Sequence, residues 1–254
     1  MTSSRKSTAA FTLTEILIGV VITTMIVVML GTIFVGLTGT SLRANQRMDA
    51  FRDARGALSM MRRDVSNLVR AVPTAYFALA DQYNDPNTAS TKNRQLYALT
   101  SIKNGLGDVC AVGYYCRWDS TKHAYTLCRY FSSSAATLAI LQNHGAEIYA
   151  LANKLFIPAT SDETVAAYVW NLQITAYKTD GTVDNTYPLI INPVDPSVVL
   201  PAALEISFDV ISPQAAQGML NASSTPNDWM DSTTTNYRRF IAPHAYEFRS
   251  RINF

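Results

Sequence analysis

The sequence predicts an α+β chain: a long N-terminal α-helix, transmembrane in its first half, packed on a mostly antiparallel β-sheet head. Three observations predict it. No charged residue occurs from Ile16 to Gly39, and about 24 residues rising 1.5 Å each suffice for a tilted crossing of the hydrocarbon core. Beyond that run, Phe51, Ala54, Leu58, Met61, Val65, Leu68 and Val72 recur at alternating steps of three and four, the spacing of one helix face. After Arg94 the chain turns to β-branched and aromatic runs separated by turn residues.

The first ten residues read as a leader. An ordinary secretory signal runs basic residues, apolar stretch, then a small-residue cleavage site. Here Arg5 and Lys6 are followed at once by the small pair Ala9 and Ala10, and the apolar stretch begins only at Phe11. A cut between Ala10 and Phe11 removes 1–10 and keeps the helix. That helix is expected over 11–72, with its membrane part at about 16–39 and Pro73 as its stop. Arg52, Asp53, Arg62, Arg63, Asp64 and Arg70 fall on its other faces and are expected in solvent. A coiled-coil dimer is the alternative use of the apolar stripe, but Ala54 makes a weak seam.

A formal net charge of +2 and a pI of about 8.4 give no global basic field, and Asp49, Asp53 and Asp64 interrupt the helix arginines. No nucleic-acid partner is expected. Arg43, Arg47, Arg52 and Arg55 follow the apolar run and outnumber Arg5 and Lys6 before it. That bias, taken alone, places the C-terminal side in the cytoplasm. The order of the leader and the clustered cysteines favour an exported head instead.

The head, 73–254, is expected to begin with a polar loop at 83–94, rich in turn residues at Asn84, Asp85, Pro86 and Asn87. Strands are expected at 95–102, 109–118, 124–131, 168–178, 203–211 and 239–253, with a short helix near 146–154. The runs around Tyr114 and Leu127 flank a five-residue turn and form a hairpin. Pairing Trp118 with Ala124 puts Cys116 opposite Thr126, one diagonal step from Cys128, and a shift of two residues brings the cysteines face to face. A Cys116–Cys128 disulfide is the favoured pairing; three reduced, packed cysteines are the alternative. Joining Cys110 to Cys116 needs a bend, for which Gly113 is the candidate.

The start of the apolar helix, Phe11-Thr12-Leu13-Thr14-Glu15 followed by Ile16-Leu17-Ile18, resembles the mature N-terminus of type IV pilins and type II secretion pseudopilins. Those families place an N-methylated hydrophobic residue first and a glutamate fifth, which fall on Phe11 and Glu15; Ala10 stands where they normally have glycine. The head carries further likeness. Val112-Gly113-Tyr114-Tyr115 with Leu127-Cys128-Arg129-Tyr130, then Trp170 to Tyr177, Asp180-Gly181, Leu200 to Ile206 and the closing run from Arg239 to Phe254 look like the J-type minor pseudopilin.

The resemblance implies a pilin-like fold and a structural minor subunit near the tip of a pseudopilus. It implies cleavage and N-methylation by a prepilin peptidase, other pilin or pseudopilin subunits as partners, and a single-pass place in the inner membrane with the head in the periplasm. Glu15 then acts in assembly, because a carboxylate in hydrocarbon costs roughly 2.5–3.5 kcal/mol even on the lenient insertion scale and the Phe11 amine of a neighbouring subunit can pair with it. A plain signal-anchor helix is the rival account.

No catalytic pattern stands out, and no enzyme, cofactor or metal is expected. His123, His144 and His244 are isolated, Ser132-Ser133-Ser134 reads as a polar strand end, and the loop from Asp180 to Asp184 reads as a turn rather than a calcium site. Two other classes are weighed: a minor type IV pilin or membrane-anchored ectodomain for adhesion or DNA uptake, and a membrane-tethered enzyme.

Overall fold

The computed structural model describes residues 12–69, 77–81, 93–102, 109–119, 121–122, 124–143, 156, 158–184, 189–191, 200–220 and 242–254. The chain divides into two units, Met1–Asn45 and Gln46–Phe254. Helix α1, Leu13–Ser66, contributes to both. Among the described residues nine strands follow: β1 Phe77–Asp81, β2 Arg94–Ser101, β3 Val109–Asp119, β4 Ala124–Ser132, β5 Glu163–Tyr177, β6 Val183–Asp184, β7 Leu189–Ile191, β8 Ala203–Ile211 and β9 Ala245–Asn253. Two short helices, α2 Ser134–Asn143 and α3 Pro213–Leu220, and a 3-10 turn, Ala242–His244, complete the described elements.

Among the described residues the strands form one sheet in the order β7-β1-β2-β3-β4-β5-β8-β9, with β6 paired to β5. Every one of these pairings is antiparallel. The α+β expectation of a long N-terminal helix and an antiparallel sheet therefore holds. Strand β8 falls on its expected bounds, whereas β5 begins at Glu163 rather than residue 168 and β9 at Ala245 rather than 239. Strands β1, β6 and β7 and helices α2 and α3 have no counterpart in the sequence reading. The expected helix near 146–154, Pro73 and most of the loop at 83–94 lie outside the described residues.

Alternation along the strands gives the sheet two buried faces. One carries Leu96, Tyr114, Leu127, Ile174, Leu204, Ile206 and Phe208, and shares a core with Ala54, Ala57, Met61 and Val65 of α1. On the other face Tyr97, Leu99 and Ala111 pack with Phe156, and Ile140 and Leu141 of α2 lie against them. Gly113 is no bend: β3 runs through it, and a Cβ there would collide with Cδ1 and Cε1 of the Tyr97 ring on β2. Glycine is needed because an aromatic side chain lies across the neighbouring strand.

The buried stripe of α1 contains an unexpected member. Asp64, expected in solvent, has a side chain that is 0% exposed. The Tyr114 hydroxyl donates to its Oδ2 at 2.6 Å, and Arg129 Nε and Nη2 both reach the same oxygen at 2.8 Å. Arg63 Nε lies 3.4 Å from Oδ1. Burial pushes the Tyr114 phenol well above its usual range, the Asp64 charge adds to that, and Arg129 opposes it. Tyr114 thus stays protonated and donating.

The same end of α1 is tied to β2 through the backbone. Thr100 Oγ1 donates to the Asp64 carbonyl at 2.8 Å, Val69 N–H to Leu99 O at 2.9 Å and Ser101 N–H to Asn67 O at 2.8 Å. These sheet bonds explain why the helix stops at Ser66 rather than at 72: the chain has found other partners for its amides. Val72 lies outside the described residues.

Strand β5 is bent where its register with β8 shifts, between Trp170 and Gln173. Asn171 takes a positive φ of 51° there, and Tyr168, with φ of 61°, sits where the register with β4 shifts between Ala167 and Val169; Asn93 Oδ1 accepts the Leu172 N–H at 2.9 Å. At the far side of the sheet β9 closes on α1. Phe51 meets Tyr246 edge-on at 4.8 Å between ring centroids, and Phe248 stacks on Phe208 at 5.9 Å.

Removing Asp64 leaves Arg129, 11% exposed, with, among the described residues, only the exposed Glu163 carboxylate at 3.9 Å, and breaking a buried ion pair typically costs about 3–5 kcal/mol. Asp64→Ala is therefore expected to destabilise the head by that amount in denaturant unfolding followed by near-ultraviolet circular dichroism. A loss below about 1 kcal/mol, the range of exposed pairs, would show that the clamp contributes little.

Candidate functional site

The candidate assembly segment is the start of α1. Ala10 and Phe11 lie outside the described residues; Thr12 and Glu15 do not. Thr12 N–H and Thr12 Oγ1 donate to Glu15 Oε2 at 3.0 and 2.9 Å, and Glu15 N–H donates back to Thr12 Oγ1 at 3.3 Å. This is a capping box, Thr-x-x-Glu, with Thr12 as the cap and Glu15 at the third helical position. Sequence reasoning took Glu15 only as an acid awaiting a partner and passed over the four-residue signal that gives it one. The carboxylate also suits the helix start, where the backbone dipole presents partial positive charge.

After Glu15 the helix offers apolar surface without interruption. Ile16, Val20, Ile26, Leu30, Phe34 and Leu37 are all exposed, and the helix is long and apolar enough to cross a membrane. The hydroxyls within this stretch satisfy themselves. Thr23 donates to Gly19 O at 2.7 Å, Thr24 to Val20 O at 2.8 Å, Thr32 to Met29 O at 2.8 Å and Thr38 to Phe34 O at 3.0 Å. Each returns its proton to a carbonyl one turn back. In hydrocarbon, where water cannot serve, that local pairing removes a cost of several kcal/mol per orphaned group.

The hairpin of β3 and β4 does not bring together the two cysteines of the expected disulfide. Asp119, not Trp118, pairs with Ala124, so Cys116 lies opposite Leu127 and Cys128 opposite Tyr115. The strand is one residue longer than expected and the turn one shorter. A shift of one residue moves a side chain to the other face of the sheet, and the two cysteines are thereby on opposite faces. Cys110, Cys116 and Cys128 are all free and buried. Asp119 sets the turn: its Oδ1 accepts Thr121 N–H at 2.9 Å and Lys122 N–H at 3.1 Å, and Lys122 Nζ sits 2.9 Å from Oδ2.

Burial raises the thiols of Cys110 and Cys128 above their ordinary range, so neither is an activated nucleophile. Ser133 is the cap of α2, receiving Ala136 N–H on Oγ at 3.4 Å. Asp180 Oδ1 accepts from Thr182 N–H at 2.8 Å and Thr182 Oγ1 at 2.6 Å around Gly181, whose φ is 82°. That is a closed turn. His244 is exposed in a 3-10 turn, Ala242–His244; His123 and His144 lie outside the described residues. Among the described residues no three His, Cys, Asp or Glu side chains converge as a metal site.

No family model matches the chain, and no curated protein matches its sequence.

The register makes a chemical prediction. Intact mass should show all three thiols reduced in chain purified from an oxidising compartment, and a thiol reagent should modify them only after unfolding. A mass lower by two hydrogens, with a Cys116–Cys128 crosslinked peptide, would overturn the register.

Proposed function

We propose that the chain is a structural minor pseudopilin, J-like in rank, of a type II secretion-like machine. It is cut between Ala10 and Phe11, anchored in the inner membrane by α1 with its head in the periplasm, and built near the tip of a pseudopilus through its N-terminal helix. The observation that carries this reading is the exposed, uncharged run of α1 opened by a single acid, Glu15, at the fifth position after the cut. An α+β head with a long helix ahead of an antiparallel sheet agrees with it.

The mechanism follows from what Glu15 has and lacks. Thr12 occupies Oε2, while Oε1 has no partner among the described residues. Two oxygens of a carboxylate accept about four hydrogen bonds, and in a low-dielectric surround an unfilled acceptor is costly. The new amine of Phe11 on an adjacent subunit fills it. Assembly is favoured because the carboxylate gains a charged donor that the lone subunit does not offer.

Mass spectrometry of the membrane-inserted protein should find an N-methylated N-terminus at Phe11; retention of Met1 in cells with active prepilin peptidase would sink the reading. A hydrogen bond to a charged group contributes about 1.5–3 kcal/mol net. Glu15→Ala is therefore expected to leave the chain resistant to alkaline extraction from membranes but to cut its incorporation into sheared filaments roughly tenfold or more. Incorporation equal to wild type would remove Glu15 from assembly.

A further inference from the structure

The arginines that follow the apolar run remain unexplained by filament assembly, and one of them is held in a distinctive way. Arg47 lies five residues beyond Leu42, the last residue of the uncharged run, in the same helix, about one and a half turns past it. Its guanidinium carbon sits 4.3 Å from the centroid of Tyr246 and 5.8 Å from that of Phe51. Arg52, by contrast, has Asp49 at 3.8 Å. Among the described residues Arg47 has no ion pair.

We propose that Arg47, held over Tyr246, binds the phosphate of an anionic phospholipid headgroup in the leaflet on the head's side. The inference rests on the membrane-crossing part of the proposed function. The ring contact engages the guanidinium without an ion pair, and the planar fork of its N–H groups matches two phosphate oxygens at once. Five residues past the run is about 7.5 Å along the helix, within reach of a headgroup layer about 5–7.5 Å thick, and tyrosine, with an apolar ring and a polar tip, is a residue enriched at that depth. The occupant is thus set by charge and by continuity with the crossing helix. On this account Arg47, alone among the arginines after the span, is a ligand of the leaflet.

The test uses the full chain in vesicles. The three native thiols are buried, so His244→Cys, two residues before Tyr246 and exposed, takes a single fluorophore. Vesicles of phosphatidylcholine alone are compared with vesicles containing phosphatidylglycerol, each with a nitroxide-headgroup lipid as quencher. Quenching is expected to rise about twofold or more with phosphatidylglycerol, to fall back in Arg47→Gln, and to stay high in Arg55→Gln. Equal quenching in both lipids, or an unaffected Arg47→Gln, overturns the site.

Should Arg47→Gln expose the buried thiols, the unsubstituted Arg47 chain is read in low and high salt, since screening weakens an exposed contact to phosphate. Salt-independent quenching then overturns the site. In detergent, inorganic phosphate is expected to leave the label unchanged; a saturable response would assign the site to free phosphate and overturn the membrane occupant. Alkaline extraction separates this failure from that of the parent reading: a chain washed from the vesicles has lost its membrane anchor, whereas a retained chain with lipid-blind quenching has lost only the Arg47 site.

Discussion

The head is organised around a charge that has left water. Asp64, in the last turns of α1, is fully buried and shares one oxygen between Tyr114 on β3 and Arg129 on β4. A carboxylate alone at that position would cost far more than the head could bear. Its partners must therefore arrive together, which fixes three elements at once: the rotation of the helix, the register of the central hairpin, and the face that β3 and β4 present. The apolar contacts of Ala54, Ala57 and Met61 supply the area, but they would tolerate small rotations that the triad does not. A buried pair of this kind contributes more to uniqueness than to net stability, since an apolar replacement of equal volume often does as well.

This constraint also explains where sequence reasoning stopped. The stripe from Phe51 to Leu68 was legible because apolar residues repeat at helical spacing, and β8 because Ala203 to Ile211 alternates with few exceptions. Asp64 was misread because a pattern that sorts residues by polarity puts every aspartate in solvent; only the tertiary partners, 50 and 65 residues away, reverse that. The cysteines failed for a sharper reason. Pairing was inferred from a turn length, and one residue of error in a turn inverts the face of a whole strand. Helix α2 was missed because Ser132-Ser133-Ser134 was taken as the end of a strand, when Ser133 caps the helix that starts at Ser134.

At the N-terminal end the sequence was read more fully, yet through one lens. The Phe11-to-Glu15 spacing marked the acid as unusual, but the Thr12-Leu13-Thr14-Glu15 signal of a capping box stood in the same residues. The threonines at 23, 24, 32 and 38 interrupt an apolar run without breaking it, since each hydroxyl returns to the helix's own backbone. What the segment exposes is therefore apolar surface and one acid. No described stretch of the head combines these.

Two carboxylates on one helix meet the same requirement by different means. Asp64 is met entirely from within the chain, by donors that folding brings to it, and so it has nothing to offer a partner. Glu15 is met only in part, by a cap three residues away that would form in any helix beginning with that sequence. Its remaining oxygen is satisfied by water at the surface and by nothing in hydrocarbon. On the proposed reading that difference is functional: the acid whose partners are all local to the subunit holds the fold, and the acid left one partner short drives the subunit to find another. Dependence on a neighbour is then a consequence of where the charge sits along α1, with no change required in the head.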